Sequence, residues 1–456
     1  MAIPKTKTRS EKHMSLSPQT SRIRARVAQM SKDGRKHWDL FRYLLDPFVL
    51  FDATRLVVRN GGAPGLDGQT IESIKGKEWD FAQGLSSELR ASAYRPGAVR
   101  RAFIPKSDGD KRPLGIPDLR DRVIQRAMVL LMECIYEQRF HEFSYGFRPK
   151  RKAVDCVALV AKTVYTHRHV LEADITKFFD RVSHKKLLKL LEREIVDPRI
   201  LRLVSGFLKS GFQEPGKPWQ PSIEGTPQGG PLSPCLANIY LHYLLDEKFN
   251  EVYARNKRVR LFRYADDFII VAATESELKT ARRLLNGWMT DAGLTLKPEK
   301  TREIDMSNHR RSFDSKFDFL GFKIHLRSYK DNPKRFWVAR QPSEKSRRGL
   351  RLALRERMQA HLHPQIVAER MLATWRGWCN YFRYSNANRV FYRECDSIRK
   401  LAWRYLRRKF RRTRCPVQWS RLKMLHDELM TRIRPIQVIP EHLSGDRQQS
   451  FAFGRA

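Results

Sequence analysis

The stretch RLFRYADDFIIVAA (260–273) constrains the fold of this chain more than any other. It reads as strand, tight turn, strand, and the turn carries two adjacent carboxylates, Asp266 and Asp267. FIIVAA holds no polar residue, so it is expected as a buried strand that anchors the acidic pair to a core. A second strand-like run, HVLEAD (169–174), also ends in an acid, Asp174. Adjacent Asp residues at a turn are common. A third from a neighbouring strand changes the chemistry, because three gathered carboxylates repel one another unless cations occupy the site.

Such a constellation can hold two divalent cations. Nucleotidyl transfer uses that arrangement, with metals about 3.5–4 Å apart, one activating a primer 3′-hydroxyl and the other the pyrophosphate leaving group. Mg²⁺ fits, since it takes hard oxygen ligands and is shared with substrate phosphates.

The charge balance supports a polyanionic partner. Among 456 residues, 89 are Lys or Arg and 49 are Asp or Glu, a net charge of +40. So basic a surface attracts nucleic acid first. An anionic membrane comes second, and no lipidation motif supports it. No apolar run approaches the roughly 20 residues of a membrane span, and the first residues lack the apolar core of a secretory signal. At 41% apolar residues the chain can bury a real core. Cysteines at 134, 156, 235, 379, 395 and 415 form no C-x₂-C pair, which argues for small buried residues in a reducing cytoplasm.

Along the chain, residues 1–37 read as a basic, flexible arm with a helix possible from Ser21. Leu40, Leu44, Phe48 and Phe51 predict a helix from Trp38 to about Asn60, broken by GGAPGLDG (61–68). YRPGAVRRAFIPKSDGDKRPLGIP (94–117) predicts a hairpin turning at Asp108-Gly109. Helices are expected over 118–140, over 183–195 with Ser183 as N-cap, and over 275–293, stopped by Gly293. After about residue 334 strand signals fade, and DNPKR (331–335) reads as a linker to helical segments rich in Arg and Trp. Nine of the residues 399–414 are Lys or Arg.

These residues carry a resemblance. FIPKSDGDKRPLGIP (103–117), FSYGFRPKRKAVDC (143–156), EADITKFFD (172–180), GTPQGGPLSPCLANIYL (225–241), RYADD (263–267), GLTLKPEKT (293–301) and FDFLGFKI (317–324) occur in the order of the blocks of a group II intron-encoded reverse transcriptase. TWRGWCNYFRYSN (374–386) resembles the maturase, or X, domain of the bacterial proteins. The chain is similar to that family from about Tyr94 to Arg412. Nothing after Cys415 resembles the family's Cys/His endonuclease domain, so the form without it is expected.

The resemblance implies an α+β, right-hand polymerase fold. Fingers and a palm with an antiparallel sheet would occupy 38–333, and an α-helical thumb/maturase region 334–456. It implies that Asp174, Asp266 and Asp267 are the catalytic metal ligands for two Mg²⁺ ions, with the Ile175 carbonyl completing the site. Phe179 matches the position whose ring excludes a ribose 2′-hydroxyl, although Phe178 takes that place if the register shifts. Gln228, Gly229 and Gly230 match the loop beside the nucleotide, and Asp180 is expected to cap the next helix. Lys106 and Arg112 match positions near the dNTP phosphates, or are simply solvated hairpin charges.

In the last segment, Trp375, Trp378 and Phe382 repeat at helical spacing and are expected to form the thumb's own core. Arg404, Arg407, Arg408, Lys409, Arg411 and Arg412 are too dense a run of one sign for a plain solvated face, and are expected to contact nucleic acid. The expected partners are intron RNA, an RNA template, a DNA primer or target and dNTPs, in a cytoplasmic bacterial ribonucleoprotein. Two rivals remain open: a non-enzymatic splicing maturase, and a host-defence reverse transcriptase without an intron. The oligomeric state is open as well.

Overall fold

The computed structural model describes residues 14–105, 111–307, 315–329, 331–332, 335–359 and 361–410, with 427, 431 and 433. In chain order the strands are β1 (Val99–Pro105), β2 (Lys111–Ile116), β3 (His169–Asp174), β4 (Phe212–Gln213), β5 (Val259–Tyr264) and β6 (Asp267–Ala272). They continue as β7 (Arg302–Asp305), β8 (Lys316–Phe319), β9 (Phe322–Ser328) and β10 (Phe336–Pro342). Three sheets result, ordered β2-β1-β4, β5-β6-β3-β7 and β10-β9-β8. The chain divides into two compact units, one of residues 1–151, 171–270 and 276–302, the other of 152–170, 271–275 and 303–456.

In the first unit, β1 and β2 form the expected antiparallel hairpin, Arg100 opposite Ile116 through Pro105 opposite Lys111. Its tip, 106–110, lies outside the described residues. The helix Leu119–Tyr136 follows, and Val123, Ile124, Ala127, Leu131 and Ile135 on it are fully buried. Tyr94 donates its hydroxyl proton to Asp121 Oδ1 at 2.5 Å, and the Gly97 amide donates to Oδ2 at 2.9 Å. The pair ties the chain entering the hairpin to the helix leaving it.

Two expectations for this unit need correction. The stretch from Ser17 to Lys32 is no flexible arm but a capped, packed helix, Pro18–Lys32. Ser17 accepts from the Thr20 amide, while its own amide and hydroxyl bond Asp52 at 2.8 Å. Ile23 and Val27 are buried on its inner face. Four apolar or small residues at helical spacing were enough to outweigh the basic composition. The helix expected from Trp38 to Asn60 is broken in two, Phe41–Leu44 and Pro47–Asn60. Asp46 caps the second by accepting from the Phe48 amide, and Pro47 sits at its first turn, where a missing N–H costs nothing.

In the second unit, β9 pairs with β10 from Phe322 opposite Pro342 to Ser328 opposite Phe336. This pairing, with the Tyr329 amide bonded to the Arg335 carbonyl, makes β10 part of the sheet that precedes it, where the sequence suggests a linker. FWVARQ opens with two aromatics and a β-branched residue, Phe336, Trp337 and Val338, types that favour a strand despite the basic surroundings. The expected boundary itself, 333/334, lies outside the described residues. Helices Glu344–Arg357, Pro364–Phe382 and Asn388–Phe410 follow. Trp375, Phe382 and Phe391 form their buried centre, with Trp375 and Trp378 stacked at 5.7 Å between centroids. Glu394 is fully buried and takes hydrogen bonds from both Arg347 and Arg351. Among the described residues, no helix is long and apolar enough to cross a membrane.

Burial pushes the Asp121 carboxyl up to about 6, against the Tyr94 and Gly97 hydrogen bonds that hold it down. A raised folded pKa means the folded chain keeps a proton that the unfolded chain has lost, so stability falls as pH rises from about 4 toward 6. Asp121→Asn should flatten that part of the curve of thermal midpoint against pH. An unchanged slope between pH 4 and 6 would show that Asp121 is not its source.

Candidate active site

The acidic turn is built from the four-stranded sheet. β5 ends at Tyr264, β6 begins at Asp267, and Ala265-Asp266 make the two-residue connection. Such a link needs a positive φ, and Ala265 supplies it at +58°. β6 lies beside β3, whose last residue is Asp174. Phe268, Ile269 and Ile270 are buried, as are Val170 and Leu171 on β3. The strands are fixed by their apolar residues, and the acids fall at the ends where the sheet meets solvent: Asp267 exposed, Asp266 and Asp174 half-buried.

Two lysines occupy this end. Lys297 Nζ and Lys300 Nζ each lie 2.9 Å from Asp174 Oδ2. The backbone reinforces the pairing, because the Lys297 amide donates to the Asp174 carbonyl at 2.8 Å and the Thr176 amide to the Thr295 carbonyl at 2.8 Å. Burial works to raise the Asp174 carboxyl, but the hydrogen bonds from Lys300 and Lys297 prevail and it ends below the usual carboxylate range. Lys300 is raised, first by its hydrogen bond to Asp174, and further by the charges of Asp174 and Asp267. One ammonium thus feels an acid from each of two adjacent strands.

Among the described residues, no group of three or more His, Cys, Asp or Glu side chains is placed to hold a metal ion. At Asp174 two ammonium groups stand against the carboxylate. The donor chemistry nevertheless suits a hard dication: carboxylate oxygens at adjoining strand ends, with a cationic group already among them. Lys297 and Lys300 were missed by sequence reasoning, although both lie in the GLTLKPEKT block.

The other predicted residues fall as follows. Ile175 is buried and bridges Leu296; since Asp174 and Thr176 bond toward 295–297, the Ile175 carbonyl points the opposite way, to the β6 side. Phe178 is buried against Tyr240, whereas Phe179 is partly exposed, so Phe179 is the ring that solvent reaches. Asp180 does not cap the following helix; Ser183 does, accepting from the Lys186 amide. Instead Asp180 Oδ1 accepts from Gln228 Nε2 at 3.3 Å.

Gly229 has φ +129°, and a Cβ there would stand 2.3 Å from the Gly115 carbonyl oxygen. The close approach that this glycine permits is therefore to β2, where the Gly115 amide donates to the Gln228 carbonyl at 2.6 Å. The Gln228 loop is locked to both the β1–β2 hairpin and the Phe179 segment.

Lys106 lies outside the described residues, and Arg112 is placed by its backbone, opposite Ile104. On the last helix Arg404, Arg407 and Arg408 are exposed. Lys409 departs from expectation, because its ammonium bonds the Leu362 carbonyl within the same unit. Arg411 and Arg412 lie outside the described residues.

Comparison with known proteins places this geometry. Residues 104–324 match the family described as reverse transcriptase (RNA-dependent DNA polymerase). Residues 347–425 match the group II intron, maturase-specific domain. Protein YkfC of Escherichia coli (strain K12) is 34% identical over 345 residues, 68% of this chain and 88% of that protein. The group II intron-encoded protein LtrA of Lactococcus lactis subsp. cremoris is 37% identical over 234 residues, 48% of this chain and 37% of that protein. The chain thus spans most of the first relative and little more than a third of the second. It belongs to the group II intron-encoded reverse transcriptase/maturase family, and its polymerase domain is that of an RNA-directed DNA polymerase.

Proposed function

We propose that the chain extends a DNA primer along an RNA template at the end of the β5-β6-β3-β7 sheet, and binds intron RNA through its last helices to support splicing and retrohoming. The observation that carries the reading is the junction of Asp174 and Asp267 at Lys300, an electrostatic site made by adjacent strands. Asp174, Asp266 and Asp267, with the Ile175 carbonyl, would hold two Mg²⁺. When bound, such a pair supplies an activated 3′-hydroxyl and a neutralised pyrophosphate. The protein's own part is to hold the carboxylates on a buried sheet, and to offer Lys297 and Lys300 as neutralising charge near Asp174. Lys106 and Arg112 on the fingers hairpin would meet dNTP phosphates.

Phe179 supports the choice of deoxynucleotides. Its ring is anchored beside Phe178, 5.4 Å between centroids, and Thr226 N–H binds its carbonyl at 2.7 Å. A fixed ring of that size excludes a ribose 2′-hydroxyl by contact. For RNA, the exposed face of the last helix carries Arg389, Tyr392, Arg393, Arg399, Lys400, Arg404, Arg407 and Arg408 along its length. Cations for phosphates and an aromatic ring for a base are the two components that single-stranded and looped RNA needs. This fits an intracellular ribonucleoprotein with no membrane partner.

Asp266→Ala/Asp267→Ala protein should make no cDNA on a primed RNA template while keeping wild-type RNA affinity; synthesis by the purified double variant would refute the metal assignment. Phe179→Ala should raise rNTP incorporation relative to dNTP by about 10–100-fold, the span of discrimination that steric pockets give. Unchanged discrimination would move the gate elsewhere. Arg404→Ala/Arg407→Ala/Arg408→Ala should lower the slope of log affinity against log salt for intron RNA by about 2–3, the loss of three phosphate contacts. An unaltered slope would mean that this face is not on the RNA.

A further inference from the structure

Behind the acidic turn lies a buried polar cluster that no step above uses. Arg263 and Asp246 are both fully buried. The Arg263 guanidinium donates through Nε to Asp246 Oδ1 at 2.8 Å and through Nη2 to Oδ2. Its Nη1 donates to Asn238 Oδ1 at 3.0 Å and to the Ala265 carbonyl at 3.0 Å. Asn238 in turn donates through Nδ2 to the Gly146 carbonyl at 2.6 Å. Gly146 is pressed against the turn itself: a Cβ on it would stand 2.2 Å from the Ala265 nitrogen. The Tyr145 amide binds the Arg263 carbonyl, and the Arg263 amide binds the Phe143 carbonyl.

We infer that Arg263, with Asp246 and Asn238, is a positioning clamp that fixes the backbone of Ala265 and so aims the carboxylates of Asp266 and Asp267 at their cations. Ala265 sits in the left-handed region, where an alanine is disfavoured by contact between its Cβ and the carbonyl oxygen. Such a conformation persists only when the surroundings over-determine it. Here they do so from two sides, the Arg263 hydrogen bond on the carbonyl and the Gly146 backbone against the amide. A buried ion pair is weak evidence for stability, since apolar residues of equal volume commonly replace one without loss. What such residues would not replace is the bond to the Ala265 carbonyl, and that bond is the function assigned to the pair. The inference rests on the reading of Asp266 and Asp267 as metal ligands.

The test uses Arg263→Met/Asp246→Leu, which removes the clamp without stranding a charge, and Asn238→Ala, which removes the hydrogen bonds of Asn238 to Arg263 and Gly146 but leaves those of Arg263 to Asp246 and to the Ala265 carbonyl. Both are compared with wild type for thermal midpoint, intron RNA affinity, Mn²⁺ affinity by EPR titration without nucleic acid, and single-turnover extension at varied Mg²⁺. In the folded double variant, Mn²⁺ affinity should fall about 10–100-fold, as when support behind metal ligands is lost. Extension should slow by about 100-fold, the effect of displacing a reacting group by about 1 Å, with RNA affinity and the KM for dNTP unchanged. Asn238→Ala should shift Mn²⁺ affinity and Mg²⁺ requirement in the same direction by less. A folded double variant with wild-type Mn²⁺ affinity and rate overturns the clamp, as does, should that variant not fold, wild-type behaviour of Asn238→Ala. Synthesis by the Asp266→Ala/Asp267→Ala protein would instead overturn the underlying reading of the acids, leaving the two failures distinct.

Discussion

The hold of Lys297 and Lys300 on Asp174 is the interaction on which the acidic end of the sheet depends. β6 and β3 are neighbours because their apolar residues bury together, and the acids at their ends are carried along. Asp174 is stabilised in its charged form by Lys297 and Lys300, and Lys300 also senses Asp267. The two lysines are the compensating charge that lets an acidic strand end exist in this fold. A chain of net charge +40 can supply such groups readily; the distinctive feature is where it places them.

The elements around the acids are stiff for identifiable reasons. The Gln228 loop is clasped to β2 through the Gly115 amide, and to the Phe179 segment through the Thr226 amide and the side-chain bond from Gln228 to Asp180. Gly229 and Gly146 are both places where a side chain has no room. In each case the neighbour is protein backbone, Gly115 for the first and Ala265 for the second. Geometry that serves the reaction is thus set by packing inside the protein.

The β1–β2 hairpin, β3, β5, β6 and the helices that begin at His184 and end at Ala292 were legible in the sequence because their apolar periodicity is strong and their punctuation clear: Ser183 and Gly293 stand where expected at a helix start and a helix stop. The acidic turn was legible as two Asp between apolar runs. What escaped was whatever depends on long-range partners. The helix Pro18–Lys32 hides its buried face among basic residues, and only its packing partners show that it is not an arm. β10 carries charges along with its aromatics and needed β9 to declare it a strand. Lys297 and Lys300 lie 123 and 126 residues beyond Asp174, and no local pattern announces that pairing. Arg263 reads as one more cation until its burial with Asp246 is seen.

The central claim is that Asp174 and the 266–267 turn form one cation site in which lysine ammonium groups balance the charge until metal and nucleotide arrive. The most direct measurement is a structure of the protein with primer–template, a non-hydrolysable dNTP and Mn²⁺, read by anomalous scattering. The account predicts manganese bound by Asp174 together with Asp266 or Asp267, with the ammonium groups of Lys297 and Lys300 moved off Asp174 Oδ2. Manganese bound elsewhere, with both lysines still on Asp174, would contradict it.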